Sequence, residues 1–123
     1  MTWGFQNTPE EASAQLDMAK DFGVNFLDRA EGYPVPMSPE TQGQTDICIA
    51  KWMAASKVPR DQVVISTKVS GYNERYTWMR ESGEGTKLSR DQIVESVDKS
   101  LGRLGVMAEC LEPLASCTPG ALL

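Results

Sequence analysis

The feature that most constrains this chain is an alternation. Short apolar, strand-like runs take turns with helix-like segments that carry their own start and stop signals. Thr8-Pro9-Glu10-Glu11 is a helix start: Thr8 can cap, Pro9 suits the first helical position, and Glu11 completes a capping box. Ala12, Leu16 and Ala19 follow at helical spacing, and Gly23 stands where a C-terminal cap belongs. Val24-Asn25-Phe26-Leu27 reads as a short strand ending at Asp28. A second helix starts near Thr45-Asp46, with Ile47, Ala50 and Ala54 on one face. Val63-Val64-Ile65-Ser66-Thr67 is a β-branched run of the buried-strand type and ends at Lys68. Ser89-Arg90-Asp91-Gln92 reads as another capping box, after which Ile93, Val97, Leu101 and Leu104 line a helix face that Gly105 ends. With Thr2-Trp3-Gly4 taken as the tail of a strand, the order is strand, helix, strand, helix, strand, helix. Such alternation predicts an α/β fold with a parallel sheet covered by helices.

Two stretches are loops by composition: residues 29–43, with Pro34, Pro36 and Pro39, and residues 70–87, polar and with Gly71, Gly83 and Gly85. After Gly105 a fourth strand is due. Val106 to Pro113 instead shows neither strand alternation nor a β-branched run, and Pro113 and Pro119 interrupt the last stretch of the chain. The expectation is an ordered unit over residues 1–105 and an irregular, non-homologous tail over residues 106–123.

Charge and composition narrow the function classes. With 12 basic and 17 acidic side chains the formal charge is −5, which repels phosphate backbones and argues against nucleic acid as a partner. No apolar run approaches the roughly 20 residues of a membrane span. Met1-Thr2-Trp3-Gly4 lacks the basic-then-apolar pattern of a secretory signal. The 3 cysteines are an odd number at wide spacing, which argues against a disulfide framework. There is no histidine, so the commonest metal ligand and the commonest general base are both missing. A cytoplasmic protein without a metal centre is the simplest expectation.

Asp28 and Lys68 both fall at the C-terminal ends of strands, where α/β folds gather their active sites, and Tyr33 follows Asp28 by five residues. An acid, a phenol and an amine on one face suit proton transfer. A phenol is a weak acid near neutral pH, and an adjacent ammonium favours its phenolate. Such a set can protonate a carbonyl oxygen while a cofactor delivers hydride. From spacing alone the plainer readings weigh more: Asp28 as a loop cap, Tyr33 as an exposed loop aromatic, Lys68 as a surface charge.

The flanking residues add a resemblance. Leu27-Asp28-Arg29-Ala30-Glu31-Gly32-Tyr33 resembles the Asp-Thr-Ala-x-x-Tyr segment of the aldo-keto reductases. Ile65-Ser66-Thr67-Lys68-Val69 resembles their Ile-Ala-Thr-Lys-Val strand. Met1 to Gly4, Tyr33 to Pro36 and Pro39 to Gly43 also match, in the manner of the family's Tas-like branch, so that the likeness covers about residues 1–105. It implies a (β/α)₈ TIM barrel, here partial at about three strand–helix units, and reduction of small aldehydes or ketones by NADPH.

By position, Asp28, Tyr33 and Lys68 match three members of the family's catalytic tetrad. Tyr33 would be the proton donor and Lys68 the residue that lowers its pKa, while Asp28 would also lie near the nicotinamide amide. The fourth member, a histidine, would fall near Ala115, where Ala115-Ser116-Cys117 stand instead. Arg29 replaces a usual threonine and is a candidate to compete with Lys68 for Asp28. The expectation is therefore a reductase that is inactive or impaired at this length, or else a non-catalytic fragment or interaction protein derived from one. The substrate, the choice of NADPH over NADH and the oligomeric state stay open.

Overall fold

The computed structural model describes residues 1–105. The tail expected over residues 106–123 and the position of the missing histidine lie outside the described residues. In order, the elements are α1 (Pro9–Asp21), β1 (Phe26–Asp28), α2 (Gln44–Ser56), β2 (Val64–Ser66) and α3 (Arg90–Leu104), with short 3₁₀ turns at Arg60–Gln62 and Thr77–Met79. The result is a small α/β unit of three helices and a two-stranded parallel sheet.

Local chemistry sets most of the boundaries. Thr8 Oγ accepts from the Glu11 amide at 3.2 Å and Glu11 Oε2 accepts from the Thr8 amide at 3.0 Å, so the capping box forms as its residues require. At the other end of α1, Gly23 takes φ +80°. Its amide donates to Lys20 O at 2.8 Å and the Val24 amide to Ala19 O at 2.9 Å, the paired closure that needs a left-handed residue. Gly105 ends α3 in the same left-handed region.

Other expectations give way. Thr2-Trp3-Gly4 does not join the sheet; Trp3 instead bridges Asn7 within a tight turn. Ser89 precedes α3 without a side-chain cap, because Gln92, its expected box partner, turns inward: its Oε1 accepts from Arg80 Nε at 2.9 Å and from the Lys87 amide at 2.8 Å. On α2 the buried stripe is Thr45, Asp46, Cys48, Ile49 and Trp52, while Ala54 faces solvent. On α3 the buried residues are Gln92, Ser96, Ser100 and Leu104, and Ile93 and Val94 are exposed.

The core is one cluster of Leu16 from α1, Leu27 from β1, Ile49 and Trp52 from α2, Val63 just before β2, and Leu104 from α3. Burying a side chain of this size contributes about 1.5–3 kcal/mol. The Trp52 indole also reaches Asp17 Oδ1 at 2.8 Å, satisfying its N–H at the edge of the core.

In the sheet Phe26 pairs with Val64, Leu27 with Ile65 and Asp28 with Ser66. Side chains alternate across a strand, so Leu27 and Ile65 face the helices and the other two pairs face away. On that second face Phe26 is 55% and Val64 48% exposed. The β-branched run was expected to be a fully buried strand; here helices cover only one of its faces.

Candidate active site

Parallel pairing places the C-terminal ends of β1 and β2 side by side, which brings together residues 40 positions apart in the chain. Lys68 Nζ donates to Asp28 Oδ1 at 2.7 Å and to the Arg29 carbonyl at 2.8 Å. Ser66, the register partner of Asp28, donates its hydroxyl to the same Oδ1 at 2.8 Å. Lys68 Nζ lies 5.3 Å from the centroid of the Tyr33 ring, within cation–π range. The three residues singled out in the sequence are thus neighbours.

The hydrogen bond from Lys68, then that from Ser66, holds the Asp28 carboxyl below its ordinary range. Asp28 in turn pushes the Lys68 ammonium up. The pair is therefore charged on both sides across the neutral range. Both side chains are open to solvent, at 62% and 48% exposure, so a reactant has direct access to them.

Tyr33 is held through its backbone. Its amide donates to Ala30 O at 3.1 Å, closing a turn, and its carbonyl accepts from the Gly43 amide at 3.0 Å. Gly43 stands at φ +82° just ahead of α2, and a Cβ there would meet Arg103 Cδ at 2.4 Å. A side chain at this position would both strain the backbone and displace Arg103.

Arg29 does not compete for Asp28. Its guanidinium runs the other way, into the protein, where Nη1 lies 3.0 Å from Asp46 Oδ1 and 3.0 Å from Ser100 Oγ. Arg103 Nε donates to Asp46 Oδ2 at 2.9 Å. Alternation explains the outcome: adjacent residues at a strand end point to opposite sides, so Asp28 and Arg29 diverge. Burial pushes the Asp46 carboxyl up, more than Arg29 and Arg103 pull it down. Burial likewise pushes the Arg29 guanidinium down.

A second buried ion pair escaped the sequence reading. Arg80 Nη2 and Nη1 grip Glu31 Oε1 and Oε2 at 2.8 and 2.9 Å, a two-pronged contact with both side chains almost wholly buried. The Ser70 amide adds a 2.6 Å bond to Glu31 Oε1. Burial pushes Glu31 up, yet its polar neighbours, Arg80 first, then Ser96 and the Ser70 amide, outweigh it and hold the carboxyl below its ordinary range. One signal was available for these networks. Gln92, Ser96 and Ser100 repeat every four residues, a polar helical stripe with the same spacing as a core stripe.

An acceptor for a carboxamide N–H is present as well. The hydrogen bonds that Asp28 accepts from Ser66 and Lys68 both fall on Oδ1, so its exposed carboxylate has acceptor capacity to spare. That capacity suits the amide of a nicotinamide ring.

Comparison with known proteins gives the family. The model of the Aldo/keto reductase family matches residues 1–111. "Protein tas" of Escherichia coli (strain K12) is 41% identical over 108 residues, 85% of this chain and 29% of that protein. The "Probable voltage-gated potassium channel subunit beta" of Oryza sativa subsp. japonica is 36% identical over 104 residues, covering 85% of this chain and 27% of the relative. "Norsolorinic acid reductase B" of Aspergillus parasiticus is 34% identical over 99 residues, covering 77% and 23%. The chain thus spans less than a third of the length of these relatives. A match over nearly the whole chain, with both strand-end motifs inside it, settles the grouping: this chain belongs to the aldo/keto reductase family.

Proposed function

We propose that residues 1–105 are the opening part of a (β/α)₈ reductase barrel, a cytoplasmic unit that acts on small aldehydes or ketones. The observation that carries this reading is the cluster of Asp28, Lys68 and Tyr33 at adjacent ends of parallel strands. Bound NADPH would supply the hydride. Tyr33 gives its hydroxyl proton to the carbonyl oxygen as that oxygen gains negative charge. The Lys68 ammonium offers a positive charge to the phenolate left behind. Asp28 holds the ammonium beside the ring and presents its spare acceptor capacity to the cofactor amide. Val64 and Phe26, exposed on the same sheet face, become part of the packed barrel interior once further strands close the sheet.

The test is loss of NADPH absorbance with a small aldehyde, together with quenching of Trp3, Trp52 and Trp78 as NADPH is added. Tyr33→Phe is expected to lower turnover by about 10²-fold or more while leaving NADPH binding in place. Unchanged turnover in that variant removes Tyr33 from its role. Absence of saturable binding at millimolar NADPH removes the enzyme reading for this chain.

A second reading, a non-catalytic interaction protein, has the relatives named as channel subunits and the open apolar sheet face in its favour. It predicts a stable complex with another protein and no effect of Tyr33→Phe on that complex.

A further inference from the structure

Asp28 and Lys68 are solvent-exposed, and Tyr33 and Lys68 stand on two different strand-end loops, so something must fix one loop against the other. A long lysine side chain at an exposed site loses its geometry readily, because ordering it costs rotamer entropy. The buried Glu31–Arg80 pair sits where such a restraint is needed. The Glu31 amide donates to Lys68 O at 3.1 Å, and its carboxylate accepts from the Ser70 amide at 2.6 Å. One residue of the first loop thereby grips the second loop on both sides of Val69. Glu31 also lies within the turn that the Tyr33 amide closes onto Ala30 O.

Arg80 carries the restraint into the body of the protein. Beyond its two bonds to Glu31, its Nε reaches Gln92 of α3 and its Nη1 the Met79 carbonyl at 3.1 Å. Each nitrogen of the guanidinium therefore has an acceptor. A carboxylate this buried is far more costly than a surface one unless it is paired and hydrogen-bonded, and both conditions are met here. Neither side chain touches the place where a reactant would meet Tyr33 and Lys68.

We propose that Glu31 and Arg80 are positioning residues: a buried two-pronged ion pair that locks the loop after β2 against the loop after β1 and so holds the Lys68 ammonium beside Asp28 and Tyr33. This rests on the reading of Lys68 and Tyr33 as a proton-donating pair, but its test does not depend on turnover. Lys68 is exposed enough to be acetylated by a small activated ester, and mass spectrometry reads the rate at each pH, with exposed Lys51 as internal reference.

Glu31→Gln strands the buried guanidinium and can cost the fold. A double variant, Glu31→Leu with Arg80→Met, replaces the pair with apolar groups of comparable bulk, a change often tolerated by buried ion pairs. In a variant that still melts cooperatively, the midpoint of Lys68 acetylation is expected to fall by about a unit, giving about tenfold faster modification at mildly alkaline pH. Lys51 should not change. A folded double variant with an unchanged Lys68 midpoint overturns the proposal. So does loss of folding in both variants, which makes the pair a support of the whole fold and not of the cluster. Failure of the reductase reading shows separately, as the absence of NADPH consumption by the unaltered chain.

Discussion

Two buried carboxylates, Glu31 in the loop that carries Tyr33 and Asp46 on α2, each stand next to arginine, and their environments push them in opposite directions. Glu31 meets one guanidinium in a parallel, two-pronged contact and takes a backbone amide besides. Its charge is well solvated by protein, and its pKa falls. Asp46 is shared between Arg29 and Arg103, and the Nε of Arg29 has no partner among the described residues. There burial prevails, and the pKa rises. Two arginines offset the burial of Asp46 less fully than Arg80, Ser96 and the Ser70 amide together offset that of Glu31. The number of opposite charges matters less than whether directed hydrogen bonds replace the lost water.

The largest expected effect separates the two pairs directly. Glu31→Gln should destabilise the fold by about 3–5 kcal/mol, because it leaves Arg80 charged, buried and without its anion. Denaturant unfolding measures this, and a cost below about 1 kcal/mol would erase the contrast. Next comes Asp46→Asn, expected to cost about 1–3 kcal/mol, since the ion it removes is already disfavoured by burial. A penalty as large as that of Glu31→Gln would mean that the Asp46 carboxylate is as well solvated as the other.

Gly43→Ala probes the weaker pair from its backbone side. A Cβ at φ +82° strains the chain and pushes Arg103 away from Asp46, for an expected loss of about 1–2 kcal/mol. If Gly43→Ala acts partly by moving Arg103 off Asp46, the double variant with Asp46→Asn should cost less than the sum of the two single losses; additivity within a few tenths of a kcal/mol would mean that the two changes act independently.

The smallest effect is a slope. Glu31 has a lowered folded pKa, so its stabilisation is present above the ordinary carboxylate range and is lost as pH falls through the folded value. Asp46 has a raised one, so its contribution is fully present below the ordinary range and is lost as pH rises through the folded value. On acidification Glu31→Gln should therefore lose stability less steeply than the unaltered chain, and Asp46→Asn more steeply. Unfolding midpoints recorded at several acidic pH values decide it; slopes that change in the same direction would refute the opposition.

The candidate site was legible where motif and strand end coincide. Asp28 and Lys68 could be placed because each closes an apolar run, and parallel pairing then puts both at the same edge of the sheet. Tyr33 could be placed by its distance from Asp28 along a loop whose residues match the family pattern. The two buried pairs were not legible in the same way. Arg29 looked like a rival for Asp28, yet pleating turned it to the other side of the strand and into the protein. Arg80 sits in a polar segment without periodicity, 49 residues from Glu31, and nothing local marks it as buried.

What the sequence alone determined is the set of local endings: the Thr8–Glu11 box, the turn at Gly23, the stop at Gly105 and the strand ends at Asp28 and near Lys68. Each helix ending is satisfied by hydrogen bonds or sterics within a few residues, so a short window contains the whole cause, and each strand end is marked by the close of its own apolar run. Only the tertiary structure decided which face of each later helix is buried. Apolar periodicity favoured Ile93, Val97, Leu101 and Leu104 on α3, and Leu104 is indeed in the core, but Arg29 and Arg80 are buried beside the helix and their N–H groups require acceptors. Gln92 and Ser100 supply them, so the polar stripe turned inward. A buried unsatisfied guanidinium costs more than an exposed isoleucine, and that comparison exists only once distant segments meet.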